Sequence, residues 1–208
     1  MALELDKSST RDALVYQNDT YNAFMSEVAY ANSVLSNLEK RSLFEYSGWA
    51  FKDYQLYLKD QTTPTGKVVK EGLPHMDSAL AKSSNRHDLI LYHGLAKEHQ
   101  TNMDRVKDLQ FAVKNKLLIR TSFFSTSVDP KVASDVTGGV NNSVVFEIFS
   151  SDGIALGEET SECGIKEKEV LLPRGKSFEV LDVIENVSFL WGFTKRIHTV
   201  IQLRDLKL

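Results

Sequence analysis

The sequence contains little cysteine and lacks the residue spacings of a metal site. The 208 residues include one cysteine, Cys163, so no internal disulfide can form, and the composition suits a compartment that keeps thiols reduced. The five histidines are scattered, without the i, i+4 spacing or the cysteine pairs of a metal site. We therefore expect no bound metal, and we interpret Cys163 as an ordinary thiol rather than a nucleophile.

Long apolar runs and blocks of like charge are also missing. No stretch reaches the roughly 20 apolar residues that span a bilayer, and residues 1–9 are too polar for a Sec-type signal peptide. With 25 Lys and Arg against 28 Asp and Glu, the formal net charge is −3, and no basic block would attract nucleic acid. We expect a soluble protein without nucleic-acid or membrane-spanning roles.

Apolar residues make up 42% of the chain, enough for one domain with a sizeable core and a modest extension. In the N-terminal part they recur at three- and four-residue steps, which predicts helices over 10–39, 43–59 and 76–81, with a loop over 61–71. Asn18, Asp19 and Thr20 are capping residue types and predict a break in the first stretch. We assign residues 1–39 to a helical extension and 40–208 to the main domain.

Strand patterns dominate the remainder of the chain. They predict strands over 88–94, 117–127, 143–149, 170–172 and 197–205, and another from Phe178 after the turn Pro173-Arg174-Gly175. Residues 102–115 are predicted to be helical or loop-like, and a helix is predicted over 130–136. The fold class is therefore α+β. The glycines at 138 and 139 lack the spacing of a phosphate-binding loop, so a nucleotide would not be held by a doubly wound fold.

Two glutamates, Glu167 and Glu169, stand one residue apart at the start of the apolar run 170–172. Strand periodicity would place both on one face, because side chains at i and i+2 point the same way. An isolated pair of this kind usually marks a solvated edge. At the start of a buried strand, however, two carboxylates can serve one cleft.

Two further polar motifs lie at predicted strand ends. Tyr92-His93-Gly94 ends the strand 88–94, and Ser125-Thr126-Ser127 ends the strand 117–127. Alone, His93 is typical of a buried histidine satisfied by backbone, and hydroxyl clusters commonly form turns or caps. We expect Ser127 or Asp129 to cap the helix 130–136, with Pro130 in its first position.

Taken in this order, the motifs resemble those of the mono-ADP-ribosyltransferases, in the branch of clostridial toxins and vertebrate ecto-enzymes. There a Glu-x-Glu pair runs directly into a Leu-Leu-Pro-x-Gly turn, as residues 167–175 do here. The resemblance extends over about residues 40–205. It implies the ADP-ribosyltransferase fold, two packed and mainly antiparallel sheets with an N-terminal helical lobe, and NAD as co-substrate in the cleft between them.

The first motif departs from that branch, because His93 stands where an arginine is usual. The diphtheria-toxin and poly-ADP-ribose polymerase branch has a histidine there, so the chain resembles a mixture of the two. Arginine offers a permanent charge and a planar fork, whereas histidine offers a pH-dependent charge. Arg86 or Arg120 could supply the missing contact to the phosphates, and the sequence leaves that choice open.

The resemblance also implies roles for individual residues. Glu169 would bond the ribose 2′-hydroxyl and stabilise the charge of the transition state, Glu167 would orient or deprotonate the acceptor, and Ser125 would position Glu169. Gly94 would hold the nicotinamide carboxamide and His93 would contact the adenosine side. The remaining motif residues implied to bind NAD are Tyr92, Thr126 and Ser127.

The implied function is NAD-dependent mono-ADP-ribosylation of a protein side chain, either arginine or a hydroxyl residue such as threonine. Without a Sec signal, we expect a monomeric bacterial effector that acts on a target protein in the host cytoplasm; otherwise the protein is cytoplasmic. Two alternatives stay open. One is an NAD glycohydrolase that transfers to water, and the other is an inactive transferase-fold protein that binds a partner.

Overall fold

The computed structural model describes residues 10–59, 66–82, 84–95, 103–138, 143–191 and 194–206. The helices are α1 Thr10–Val34, α2 Asn37–Ser47, α3 Phe51–Lys59, α4 Lys67–Lys82, α5 Met103–Asn115, α6 Pro130–Val136 and α7 Gly164–Glu167. The strands are β1 Ser84–Gly94, β2 Leu117–Arg120, β3 Phe124–Ser127, β4 Ser143–Asp152, β5 Ile154–Ala155, β6 Glu169–Leu172, β7 Lys176–Trp191 and β8 Thr194–Asp205.

Hydrogen bonds link the eight strands in the order β2-β7-β8-β4-β1-β3-β6-β5. The β4–β8 pair is parallel, and the other neighbouring pairs are antiparallel. One register pair, Tyr92 opposite Ser127, joins β1 to β3. It divides the sheet into a five-strand half, β2-β7-β8-β4-β1, and a three-strand half, β3-β6-β5. The predicted α+β class is confirmed, but the two-sheet detail is not, because the strands form one continuous order.

The sheet curls strongly about its core. Phe124 of β3 and Phe178 of β7 have ring centroids 5.9 Å apart, although three strands separate β3 from β7 in the hydrogen-bonded order. Phe24 and Val28 of α1 join these rings in one buried apolar cluster. The curl therefore brings side chains from distant strands to one place.

A second apolar cluster joins α2, α3 and α4 to β5 and β6. At its centre the buried ring of Tyr46 makes edge contacts with Tyr54 and Phe123, with centroids 5.5 Å apart in each case. Phe123 directly precedes β3, so the helical lobe packs against the strand that carries the serine–threonine motif.

Glu39 ties two helices of this lobe together. Ser36 caps α2 and forms a capping box with Glu39. The buried Glu39 carboxylate also accepts hydrogen bonds from Ser78 and Lys82 of α4, each at 2.7 Å. Although burial opposes the charged form, these donors lower the pKa of Glu39 from 4.5 to about 2.

Several predicted helix boundaries were wrong. Helix α1 runs unbroken through residues 18–20, and the break falls at Leu35-Ser36 instead. The stretch 43–59 is interrupted between α2 and α3. Helix α4 starts at Lys67, inside the predicted loop, and continues through Gly72 and Pro74. Gly72 leaves room for Tyr54, because a Cβ at this position would lie 1.9 Å from the Tyr54 hydroxyl oxygen.

The predicted strand 117–127 is two strands, β2 and β3, which pair with different neighbours. The predicted domain boundary at residues 39 and 40 falls inside α2, and the division itself stays a prediction. Among the described residues, none of the helices is long and apolar enough to cross a membrane. Residues 1–9 and 139–142, on which two further predictions rest, lie outside the described part of the chain.

Candidate active site

Three consecutive hydroxyls on β3 hold the segment that carries the two glutamates. The Ser125 hydroxyl donates to the Glu169 carboxylate. The Thr126 hydroxyl donates to the Val170 carbonyl at 2.6 Å, and the Ser127 hydroxyl donates to the Glu167 carbonyl at 2.6 Å. Strand β3 pairs with β6 with Thr126 opposite Val170 and Ser127 opposite Glu169, so the three hydroxyls face the segment that runs from Glu167 into β6.

Glu169 is nearly buried, with 6% of its surface exposed. Burial raises its pKa from 4.5 to about 7, against the hydrogen bond from Ser125, which lowers it; the charge of Glu167 raises it further. A carboxyl group held this way changes charge near neutral pH. Such perturbation is typical of groups in functional sites.

Glu167 does not share a strand face with Glu169, so that prediction was wrong. Glu167 is the last residue of α7, and Glu169 begins β6. Lys168 between them adopts a left-handed conformation, φ 48° and ψ 47°. The alternation rule holds only inside a strand. The turn instead leaves Glu167 exposed and directs Glu169 into the protein.

The turn at Lys168 is fixed by the residues that follow β3. The Val128 amide donates to the Lys168 carbonyl at 3.2 Å, and the Lys168 ammonium lies 2.8 Å from Asp129 Oδ2. The other oxygen of Asp129 accepts from the Lys131 amide and caps α6. The prediction that Asp129 or Ser127 caps this helix, with Pro130 first, is confirmed for Asp129.

His93 lies beside the serine motif. Its Nδ1 is 2.7 Å from the Ser125 carbonyl oxygen, and since a carbonyl only accepts, Nδ1 donates in this contact. The imidazole also packs edge-on against Phe124, with centroids 4.5 Å apart. His93 therefore connects β1 to β3 immediately beyond the single Tyr92–Ser127 pair.

Gly94 is buried against α6. A Cβ at this position would lie 1.9 Å from the carbonyl oxygen of Ala133, so the main chain of α6 requires glycine here. The predicted contact of Gly94 with a carboxamide stays a prediction, as does the predicted binding role of the partly buried Tyr92.

A cavity of about 260 Å³ opens beside these motifs, and His93 and Ser125 are in its wall. The wall also contains Phe51 and Gln55 of α3, Asp108 of α5, and Arg120 of β2. Sequence reasoning named Arg120 but missed Phe51 and Gln55. Their i, i+4 spacing puts both on one helix face, yet nothing in the sequence says which face meets the strands. The side chain of Arg86 lies outside the described residues.

A separate depression on the outside of α2 is lined by Lys40, Arg41, Trp49 and Glu159, among others, and shares no residue with this cavity. Its charges pair with nearby acids, Lys40 with Glu159 and Arg41 with Glu45. Among the described side chains, no group of three or more His, Cys, Asp or Glu could hold a metal ion.

A family model described as ADP-ribosyltransferase exoenzyme matches residues 20–206. The chain therefore belongs to the ADP-ribosyltransferase exoenzyme family, and the resemblance seen in its motifs is confirmed. It is an enzyme of the mono-ADP-ribosyltransferase class, related to toxins. A search of curated protein sequences found no match.

Solved structures with the same fold are ADP-ribosylating toxins. Plx2a from Paenibacillus larvae matches with a TM-score of 0.66 and 16% identity, over 91% of this chain and 97% of Plx2a. The enzymatic component C2-I of the Clostridium botulinum C2 toxin matches with a TM-score of 0.63 and 17% identity, over 90% of this chain and 46% of C2-I. Vis toxin from Vibrio splendidus matches with a TM-score of 0.60 and 19% identity, over 98% of this chain and 89% of Vis.

Proposed function

We propose that this protein transfers ADP-ribose from NAD to a side chain of a target protein. The observation that carries the proposal is the buried Glu169, held by Ser125 next to a cavity, with the exposed Glu167 two residues away. One carboxylate can face a bound sugar while the other stays accessible to a second substrate. A related toxin, BECa of C. perfringens, was solved with NADH, which supports a dinucleotide in this fold.

The reaction breaks the bond between nicotinamide and ribose. Positive charge develops on the ribose as nicotinamide leaves, so the transition state resembles an oxocarbenium ion. A fixed carboxylate beside that ribose binds the transition state more strongly than the ground state, as catalysis requires. Ser125 keeps the Glu169 carboxylate in place, and the low polarity around it strengthens the interaction.

Glu167 is suited to the acceptor. Its exposed carboxylate can hydrogen-bond an incoming nucleophile and accept its proton, which is general-base chemistry. The Vis toxin was solved in complex with agmatine, a guanidine compound, which favours arginine as the acceptor here. A hydroxyl acceptor such as threonine is the other outcome of the test below.

We also propose the setting. The related proteins are bacterial toxins, so we propose a monomeric effector that acts in the cytoplasm of a host cell. The acceptor protein would then be a host protein.

The test combines labelled NAD, a eukaryotic cell lysate and four proteins: wild type, Glu169→Gln, Glu167→Gln and the control Glu71→Gln. Glu71 is exposed on α4 and pairs only with Lys67 among the ion pairs described. We expect wild type and the control to label a protein band. Glu169→Gln should abolish both labelling and nicotinamide release. Glu167→Gln should release nicotinamide without labelling. Mass spectrometry of the band then identifies the acceptor residue.

Other results would redirect the proposal. Nicotinamide release by wild type without labelling in any lysate would make the protein an NAD glycohydrolase. A wild type that neither binds NAD nor releases nicotinamide would make it a partner-binding protein with a transferase fold.

A further inference from the structure

We infer that Arg120 binds the diphosphate of the dinucleotide, in the cavity that His93 and Ser125 share. This inference rests on the function proposed above. A dinucleotide brings two negative charges into a partly enclosed site, and a guanidinium fork matches phosphate oxygens better than an imidazole does.

Three observations place the guanidinium where this role needs it. Arg120 is in the cavity wall together with His93 and Ser125. Its guanidinium carbon lies 4.4 Å from the centroid of the Phe124 ring, and the His93 ring lies 4.5 Å from the same ring. Phe124 thus contacts both groups, and stacking on its ring limits the freedom of the arginine before any ligand binds.

Besides His93, the described cavity wall contains two ionisable side chains, the acid Asp108 and the cation Arg120. His93 donates Nδ1 to a main-chain carbonyl, and an imidazole carries no permanent charge, so a permanent positive charge has to come from another residue. Lys176 lies opposite Arg120 in the β2–β7 register, but its ammonium is bound by Asp152 and Asp205. Arg120 is the permanently charged cation of the described cavity wall. In the same wall, the Ser125 hydroxyl donates a hydrogen bond to Glu169.

Arg120 reaches this position because the sheet curls. Strand β2 is at one end of the hydrogen-bonded order, four strands from β1. The contact of Phe124 with Phe178 of β7 brings that end back over β3, and β2 follows as the partner of β7. A cation on an edge strand therefore faces the cavity that the motif strands form.

The experiment measures the affinity of the full chain for NAD and ADP-ribose, and the KM and kcat of nicotinamide release. Arg120→Gln should weaken binding of both ligands and raise KM by roughly ten- to a hundredfold, the range for losing a charged hydrogen-bonding partner, while kcat changes little. Arg120→Lys should lose less affinity for both ligands. Added salt should weaken binding to wild type more than to Arg120→Gln.

Two further variants sharpen the result. Arg204→Gln removes an exposed arginine outside the cavity and should leave affinity unchanged. His93→Arg in the Arg120→Gln background should restore ADP-ribose binding in part, because it returns a guanidinium to the same cavity wall. Folding of each variant is checked by its melting temperature, and Arg120→Lys serves if Arg120→Gln fails to fold.

A folded Arg120→Gln that binds ADP-ribose as wild type does would overturn the assignment. The proposed function would survive that result, provided that wild type binds NAD and releases nicotinamide. If wild type binds neither NAD nor ADP-ribose, the proposed function and this inference are both wrong.

Discussion

At the scale of single residues, Glu169 shows how reactivity conflicts with folding. Burial raises its pKa to about 7, because the folded protein solvates the carboxylate poorly. In the proposed reaction, the same burial makes a carboxylate beside the ribose effective in the transition state. The folded protein therefore holds at this position a charge that destabilises it.

This conflict predicts that Glu169→Gln stabilises the protein at alkaline pH. The folded pKa lies above the ordinary 4.5, so the contribution of this group to stability is full below pH 4.5 and is lost as the pH rises through 7. Removing the charge should raise the free energy of unfolding by about 2–4 kcal/mol at pH 8, and by much less at pH 5. Urea unfolding at both pH values measures the difference.

Glu71→Gln, at an exposed glutamate, serves as the control and should show no such pH-dependent gain. If the difference in free energy of unfolding between Glu169→Gln and wild type is the same at pH 5 and pH 8, the charge of Glu169 does not destabilise the folded protein.

At the scale of elements, the left-handed Lys168 separates the roles of the two glutamates. Lysine rarely adopts a positive φ, which costs an ordinary residue about 1–2 kcal/mol. Contacts from Ser127, Val128 and Asp129 hold the turn nevertheless. The conformation of one residue thus decides which carboxylate is buried.

A matched pair of variants tests the importance of this backbone conformation. Lys168→Gly and Lys168→Val both remove the ion pair with Asp129, but glycine accepts a positive φ and a β-branched valine does not. We expect Lys168→Gly to keep nicotinamide release within about fivefold of wild type, since a partly exposed ion pair contributes little. Lys168→Val should lose a further factor of roughly five to thirty, from about 1–2 kcal/mol of strain.

Rates and melting temperatures of both variants are measured together. Equal activity of the two would show that the left-handed conformation is not needed for the reaction. A loss in both, at unchanged melting temperature, would instead assign the effect to the Lys168 ammonium.

Sequence reasoning succeeded where local chemistry determines the local structure. Pro173-Arg174-Gly175 identified the turn between β6 and β7, and Gly175 does adopt a positive φ of 75°. Asp129 and Pro130 identified the start of α6. The face of Glu167 was mispredicted because nothing local shows that Lys168 is left-handed. The long α1 and α4 were mispredicted because tertiary packing overrode capping and breaker residues.

At the scale of the whole molecule, the helical lobe depends on a buried acid. Glu39 joins α2 to α4 through Ser78 and Lys82, and its pKa of about 2 lies below the ordinary 4.5. A lowered pKa gives stability that is present above pH 4.5 and is lost as the pH falls towards 2.

We therefore predict that Glu39→Gln lowers the free energy of unfolding by about 2–3 kcal/mol at pH 7. The difference from wild type should shrink between pH 5 and pH 3, because wild type loses the same interaction by protonation. Chemical denaturation across this range is the measurement. A pH-independent difference would mean that the charge of Glu39 does not matter and only its packing does.

The arrangement of the whole sheet could not be predicted from the sequence. The order of the strands and the curl that carries Arg120 towards Phe124 depend on contacts between residues far apart in the chain. Patterns of alternation reveal which residues are buried, but not which strands are neighbours. The motif residues and Arg120 could be named in advance, whereas the meeting of α3 and β2 in one cavity wall could not.

The single Tyr92–Ser127 pair between the two halves of the sheet bears on how such an enzyme can diversify. His93 and Arg120 stand in the five-strand half, whereas Ser125 and Glu169 stand in the three-strand half. The proposed ligand contacts and the proposed catalytic pair therefore lie in different halves of the sheet, which the His93–Ser125 hydrogen bond and the Arg120–Phe124 contact join. We propose that a change at position 93 alters ligand recognition while the β3–β6 ladder that carries Glu169 is kept, so that the two properties evolve at different rates.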